Sequence, residues 1–367
     1  MTGSSEINRK IILEDGTEYY GSSFGAGGDR ILEIVFNTSM TGYQEIMSDP
    51  SYTDQAVVMT YPLIGNYGMA EDDYESLSPS VGALVVREYN DEPSNFRSVA
   101  TLGEVMVRFG IAGISGVDTR KLNRSIRDFG TRKALLTSAG TPLCDGLARL
   151  KEYVPPADAV SRVSCSAPYS EGDPRAGIRV VAIDCGMKRG IIRSLQKRGC
   201  RVTVVPWNTT AEEILSLAPD GVLISNGPGD PADVPETAKT AAALIGRLPV
   251  FGICLGHQIL SIAMGAKTYK LKFGHRGGNH PVRDLDTGRI EITSQNHSYA
   301  VDEESLAGTG LKVTHRNLLD GTVEGVSCPD AHVFSVQYHP ESSPGPEDSG
   351  YLFDRFIGMI NSGDRPE

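Results

Sequence analysis

The chain has 367 residues, beyond the usual size of one domain, and carries a formal net charge of −11 at neutral pH. An acidic chain of this kind is a poor partner for nucleic acid, whose phosphates attract basic surfaces, and no apolar run reaches the roughly 18 residues of a membrane span. The N-terminus, Met1–Glu6, lacks a basic region followed by an apolar one, and the six cysteines are scattered without paired spacing. Reduced thiols and a cytoplasmic location are therefore expected.

In chain order, the first half reads as strands at Lys10–Leu13, Glu33–Asn37, Ala56–Thr60 and Val81–Val86, with helices at Gly103–Phe109 and Thr119–Asp128. This is a separate mixed α/β domain. It contains neither Gly-x-x-x-x-Gly-Lys-Ser/Thr nor Gly-x-Gly-x-x-Gly, so no ATP or NAD is expected here, and its generic role is partner contact or substrate closure. The stretch from Pro155 to Ala176 is rich in Pro, Ser, Gly and Ala, which marks a junction. The expected division is a first domain over 1–154, a linker over 155–176 and a second domain over 177–367.

Beyond the junction strands and helices alternate. Strands are expected at Arg179–Ile183, Arg201–Pro206, Gly221–Ile224 and Val250–Ile253, and helices at Lys188–Lys197, Ala211–Leu217, Pro235–Ile245 and Leu255–Met264. That alternation predicts a doubly wound, mainly parallel sheet with helices on both faces. After Ala266 the pattern becomes β-rich, with strands at Ile290–Ser294, Leu311–His315 and Val333–Tyr338 and a closing helix at Tyr351–Ile360. Such sheets bind ligands at the carboxyl ends of their strands, where Gly227, Gly229 and Cys254 would lie. All seven histidines fall between His257 and His339, so general-base chemistry belongs to this half.

The most informative segment is Pro249-Val250-Phe251-Gly252-Ile253-Cys254-Leu255-Gly256-His257-Gln258. Gly252 and Gly256 leave room for a strained strand-to-helix turn, Cys254 stands at its apex, and the helix from Leu255 presents unpaired N–H groups that favour a thiolate. The segment Val336-Gln337-Tyr338-His339-Pro340-Glu341 can supply the base, because in an extended chain residues two apart point the same way. It also reads as a strand end with a solvated Glu and a satisfied His. Ser225-Asn226-Gly227-Pro228-Gly229 follows an apolar strand and reads either as an oxyanion-binding loop or as an ordinary turn. His257, on the new helix, is turned away from Cys254 and is given a supporting role. Gln258 and Asn296 have amides suited to an amino-acid ligand or to a buried structural bond. His275 and His280, in a Gly-rich loop Phe273–Pro281, are too sparse a pattern for a metal site, and no metal is expected.

Cys-Leu-Gly-His-Gln and His-Pro-Glu at this separation resemble the class I, triad-type glutamine amidotransferases over about Gly177 to Ile360. Asn37-Thr38-Ser39-Met40-Thr41-Gly42-Tyr43-Gln44-Glu45, Thr60-Tyr61-Pro62-Leu63-Ile64-Gly65-Asn66, Gly116-Val117-Asp118-Thr119-Arg120, Gly274-His275-Arg276-Gly277-Gly278-Asn279-His280-Pro281 and Ser343-Pro344-Gly345-Pro346 are similar to the small-chain family of carbamoyl-phosphate synthases. The resemblance implies that Cys254 attacks glutamine, His339 moves protons and Glu341 orients His339. It implies glutamine contacts by Ser39, Gly227, Gly229, Leu255, Gln258, Asn296, Ser298 and Tyr299, with Ser39 coming from the first domain. Ser298 and Tyr299 stand where the family usually has glycine and phenylalanine. It further implies no cofactor in this chain, ATP and Mg²⁺ on a large-chain partner that receives the ammonia, and a heterodimer that can assemble further. The rival readings are a glutaminase subunit of a GMP, anthranilate or aminodeoxychorismate synthase, or a non-catalytic regulatory subunit. The first 150 or so residues argue against the former, and intact Cys254, His339 and Glu341 against the latter.

Overall fold

The computed structural model describes residues 6–362, and the chain divides into two compact units, Met1–Pro156 and Ala157–Glu367. Of Met1–Glu6, where no basic region precedes an apolar one, Met1–Ser5 lie outside the described residues.

The first unit closes a seven-stranded barrel. Its strands are β1 (Arg9–Leu13), β2 (Glu18–Gly25), β3 (Arg30–Asn37), β4 (Gln55–Met59), β6 (Ala83–Val85), β8 (Ala112–Ser115) and β9 (Arg132–Ser138), while β5 (Leu63–Ile64) and β7 (Glu88–Tyr89) pair separately. Around the barrel the order is β1-β2-β8-β6-β4-β3-β9, with β9 returning to β1. Pairing is parallel from β3 through β4 and β6 to β8 and antiparallel elsewhere. Closure satisfies both edges of a sheet that short strands would leave exposed. Helices α1 (Tyr43–Ser48), α2 (Leu102–Arg108), α3 (Thr119–Phe129) and α4 (Leu143–Glu152) complete the unit. A core of Val35, Tyr43, Met47, Val57, Leu84, Leu102 and Met106 joins α1 and α2 to the barrel.

The second unit is built on a ten-stranded sheet. Its strands are β10 (Tyr169–Glu171), β11 (Ile178–Asp184), β12 (Cys200–Pro206), β13 (Gly221–Ile224), β14 (Val250–Ile253), β15 (Thr268–Asp284), β16 (Ile290–Val301), β17 (Lys312–Asn317), β18 (Val323–Cys328) and β19 (Val333–Val336). Their order is β10-β12-β11-β13-β14-β19-β18-β17-β15-β16. The run from β12 to β19 is parallel, and the strands outside it are antiparallel. Its helices are α5 (Ala159–Val163), α6 (Arg189–Gln196), α7 (Ala211–Ser216), α8 (Pro235–Leu244), α9 (Leu255–Ala263) and α10 (Tyr351–Asn361).

Alternation along β11 explains the two-sided burial. Val181 and Ile183 pack with Ile214, Leu244 and Ile259 of α7, α8 and α9, while Val180 and Ala182 pack with Ile191, Leu195 and Phe353 of α6 and α10. Phe251 stacks on Phe334 at 4.3 Å and meets Phe353 edge-on at 5.8 Å, joining the strands that carry the site to the last helix.

Three expectations need correction. Residues 155–176 are not a bare linker: they hold α5 and β10, and β10 pairs with β12 because its short polar strand suits a sheet edge. The supposed loop Phe273–Pro281 lies inside β15, whose register slips between Lys270 and His275 and again between Gly277 and His280; the glycines mark bulges, not a loop. The strand expected to reach Tyr338 ends at Val336; His339, three residues on, makes an isolated bridge with Ser294, and the turn through Pro340 follows it at once. Among the described residues no helix is long and apolar enough to cross a membrane, and the six cysteines are free.

Candidate active site

Three loops meet at the carboxyl edge of the parallel strands. β14 runs into α9 through Cys254, which takes φ 55° and ψ −105°. A non-glycine residue in that region is strained, and strain here sets the thiol at the mouth of the turn. The turn forms because Gly256 lets α9 lie against β13: a Cβ at Gly256 would sit 2.1 Å from Ile224 O. Cys254 is 2 % exposed, its Sγ is 3.6 Å from Asn296 O, and Gln337 Nε2 approaches it at 3.7 Å.

β19 brings the imidazole alongside. Ile253 pairs with Val336, Cys254 N donates to Val336 O at 2.9 Å, and His339 N donates to Ser294 O at 2.9 Å. The chain then turns, Ser342 N reaching His339 O at 3.1 Å. His339 and Glu341 therefore meet through a turn and not along an extended strand. Glu341 Oε1 accepts from His339 Nδ1 at 2.7 Å, and His339 Nε2 has no hydrogen-bond partner. The tautomer follows: the ring's second nitrogen is left for chemistry.

Behind Glu341 lies Lys188, a residue the sequence reading missed. Its Nζ is 3.0 Å from Glu341 Oε1 and also donates to Ser342 O, with the two side chains 2 % and 0 % exposed. Lys188 follows a turn at the end of β11 in which Asp184 Oδ1 accepts from Gly186 N and Met187 N. The signal was available: a lysine just past a parallel strand, on the same sheet edge as Cys254. Burial works against the Glu341 charge, but Lys188 first and His339 next overcome it and hold the carboxyl well below its ordinary range. Burial also works against an imidazolium at 339. The Glu341 carboxylate outweighs it, Lys188 opposing and Cys254 assisting, so His339 is held well above its ordinary value.

The loop after β13 supplies the remaining wall. Ser225 Oγ accepts from Cys185 N at 2.9 Å, Asn226 Oδ1 accepts from Lys188 N at 3.1 Å, and Gly256 N donates to Ser225 O at 3.0 Å. Gly227 passes so close to Cys185 O that a Cβ would lie 2.1 Å away, and Gly229 takes φ 89°. Leu255 is buried at the start of α9, where helix geometry leaves N–H groups without intrahelical partners.

The other expected ligand residues are dispersed over neighbouring elements. Gln258 spends its Nε2 on Tyr299 O at 2.8 Å and Gln337 Oε1 at 2.9 Å, so its amide ties α9 to β16 and to the segment after β19. Asn296 is buried opposite Arg276, Ser298 Oγ accepts from Arg276 Nη2, and the Tyr299 ring lies 5.9 Å from Lys270 Nζ. Ser39 stands in the first unit, its N donating to Asn37 Oδ1 at 2.7 Å, beside a cavity lined by Met40, Tyr43, Met59 and Tyr61. His257 bonds Ser335 Oγ at 2.9 Å, and burial holds it down to about 3, so it stays neutral and cannot act as the base. A thiol, an imidazole with one free nitrogen, a buried carboxylate and a buried ammonium in series can carry out nucleophilic acyl transfer.

Known proteins resemble this chain over nearly its whole length. The family model for class-I glutamine amidotransferase matches residues 181–359, and that for the carbamoyl-phosphate synthase small chain, CPSase domain, matches residues 11–136. The carbamoyl phosphate synthase small chain of Bacillus caldolyticus is 53 % identical over 354 residues, covering 96 % of this chain and 97 % of that protein. The protein of the same name from Fusobacterium nucleatum is 54 % identical over 355 residues, covering 97 % and 99 %. With both family models and near-full-length relatives in agreement, the chain belongs to the carbamoyl phosphate synthase small chain family, and its second unit carries a class-I glutamine amidotransferase domain.

Proposed function

We propose that this chain is the glutamine-hydrolysing subunit of a carbamoyl phosphate synthase, with Cys254 as nucleophile, His339 as proton carrier and Glu341 as its orienting carboxylate. Cys254 Sγ attacks the side-chain carboxamide carbon of glutamine as a thiolate whose proton rests on His339. The C–O double bond opens to an oxyanion, which the backbone N–H groups of Gly227 and Leu255 would stabilise. As the tetrahedral intermediate collapses, the C–N bond breaks and His339 Nε2 protonates the departing nitrogen, leaving a γ-glutamyl thioester and ammonia. Water then attacks the thioester, giving its proton to His339, and glutamate leaves as the S–C bond breaks.

Gly227, Gly229, Leu255, Gln258, Asn296, Ser298 and Tyr299 would surround the substrate, Gln258 also holding the Tyr299 backbone. Ser39 would also contact the glutamine. The ammonia passes to a large-chain partner, which holds ATP and Mg²⁺ and joins it to bicarbonate as carbamoyl phosphate for pyrimidine and arginine synthesis. The pair works in the cytoplasm as a heterodimer that can assemble further, and this chain carries no cofactor of its own for the glutaminase step.

The observation that carries this reading is the buried relay from Lys188 through Glu341 to His339, ending in a free Nε2 on the Cys254 side. The test is glutamate release from glutamine by the purified chain, alone and then with a carbamoyl phosphate synthase large chain, ATP and bicarbonate. Slow release alone and strong stimulation by the partner is expected. No release under either condition would sink the assignment.

A further inference from the structure

A second cluster of titratable side chains lies on the antiparallel side of the sheet. His275 on β15 and His297 on β16 are register partners, their rings edge to face with centroids 4.9 Å apart. Glu324 on β18 brings Oε1 within 3.4 Å of His275 Nδ1. One ligand atom from each of the three lies within 4.8 Å of the others, and Glu324 is 0 % exposed.

Both imidazoles already commit their second nitrogen. His275 Nε2 donates to Asp320 Oδ2 at 2.8 Å, and His297 Nδ1 donates to Tyr299 O at 2.7 Å. This is the outer arrangement that fixes the tautomer and ring orientation of metal-ligating histidines, here leaving His275 Nδ1 and His297 Nε2 as the ligand atoms. Glu324 is oriented in turn, Oε1 accepting from Asn317 Nδ2 at 2.9 Å, while its Oε2 is buried with no partner. A carboxylate oxygen in that state is costly unless a cation or donor meets it.

We propose that His275, His297 and Glu324 form a binding site for a divalent cation of the zinc class, supported from outside by Asp320, Asn317 and the Tyr299 carbonyl. Two imidazoles and one carboxylate are a ligand set such ions accept, with a fourth position open. His280, whose Nδ1 has no partner and whose ring lies 5.2 Å from that of His275, is available to fill it. Binding requires both ligand nitrogens unprotonated, so any proton carried by His275 Nδ1 is released to solvent. Bonds of about 2.0–2.1 Å require the side chains to close by roughly an ångström, and Gln295, whose Oε1 is 2.9 Å from His297 Nε2, to turn aside.

The test is titration of the full chain, stripped with a chelator, with Zn²⁺ by calorimetry and with Co²⁺ by visible absorption. One equivalent per chain is expected, with a tetrahedral Co²⁺ ligand-field spectrum free of thiolate charge transfer, which separates this site from the six cysteines. Glu324→Gln, with an unchanged circular dichroism spectrum, should weaken Zn²⁺ binding at least about tenfold. No uptake, a thiolate signature, or equal affinity in the folded variant would overturn the site. Should Glu324→Gln fail to fold, anomalous scattering from zinc-soaked crystals of the unaltered chain decides: a peak among the three residues supports the site, and its absence overturns it.

Discussion

Lys188 Nζ and Glu341 Oε1 lie 3.0 Å apart with both side chains closed to solvent, although 153 positions separate them in the chain (341 − 188 = 153). Glu341 is thus a buried carboxylate shared between two cations, Lys188 and the imidazolium of His339. Removing one partner of such a pair leaves an under-compensated buried charge, at a typical cost of about 3 kcal/mol or more. Lys188→Met should therefore lower stability by roughly that amount and reduce glutaminase kcat by about a hundredfold, with a smaller change in KM, because Lys188 positions the relay without touching substrate. Thermal unfolding and steady-state glutamate release measure both. Unchanged kcat would mean that Lys188 serves the fold alone.

Cys254→Ser keeps a hydroxyl at the strained apex but removes the sulfur nucleophile. Glutamine-dependent carbamoyl phosphate synthesis, measured with the large chain present, should fall by at least about 10³-fold while synthesis from added ammonia is retained. Loss of both activities would contradict a division of labour between the subunits.

Ser39→Ala tests the glutamine contact proposed for Ser39. Its backbone bond to Asn37 Oδ1 would survive the substitution, so folding should be unaffected. An increase in KM for glutamine of about tenfold, corresponding to one lost hydrogen bond of about 1.4 kcal/mol, is expected. Unchanged kinetics would remove Ser39 from the glutamine contacts.

Buried histidines set the pH dependence of stability on both sides of a maximum. Burial holds His257 to about 3 and His280 and His315 to about 4, with His297 also well below its usual value. As pH falls below about 6.5, the unfolded chain takes up protons that the folded chain refuses, so stability falls. Each such group adds about 1.4 kcal/mol per pH unit to the slope until its folded value is reached. Hydrogen bonds to Asp320 and Glu324 outweigh burial and raise His275 to about 9, and His339 is raised as well. Their contributions are complete below about 6.5 and are lost as pH rises through the folded values. Stability should therefore peak near pH 6.5. Denaturant midpoints from pH 4 to 9 check this, and His315→Gln should flatten the acid limb alone. A flat profile would show that these histidines are not shielded as the geometry requires.

Much of the site was legible because its residues sit at strand ends in a repeating pattern. Alternating strands and helices placed Cys254, Gly227 and Gly229 on one sheet edge, and each expected strand from Arg179 to Ile253 matches an observed one to within a residue at each end. What the pattern hid was pairing over long distances. The barrel closes through β9 onto β1, more than a hundred residues apart, and β2, β8 and β9 give little alternation of their own. β15 escaped notice because its glycines and bulges look like a loop until β16 pairs with it. Lys188 was passed over because burial of a lysine depends on a partner that only the folded chain brings near.

Two glycines offer a last, opposed pair of expectations. At Gly256 an added Cβ would meet Ile224 O at 2.1 Å, and backbone cannot yield as a side-chain end can, so α9 would have to move off β13 and carry Cys254 with it. Gly256→Ala should cost roughly 3 kcal/mol or more and lower glutaminase activity beyond what the loss of folded protein explains. Gly358 lies within α10, has ordinary helical backbone, and has nothing within 4 Å of an added Cβ. Gly358→Ala should stabilise the chain by about 0.5–1 kcal/mol through helix propensity alone, with activity unchanged. Chemical denaturation of the two variants beside the parent resolves both signs, and a tolerated Gly256→Ala would refute the close approach of α9 to β13 on which the position of Cys254 depends.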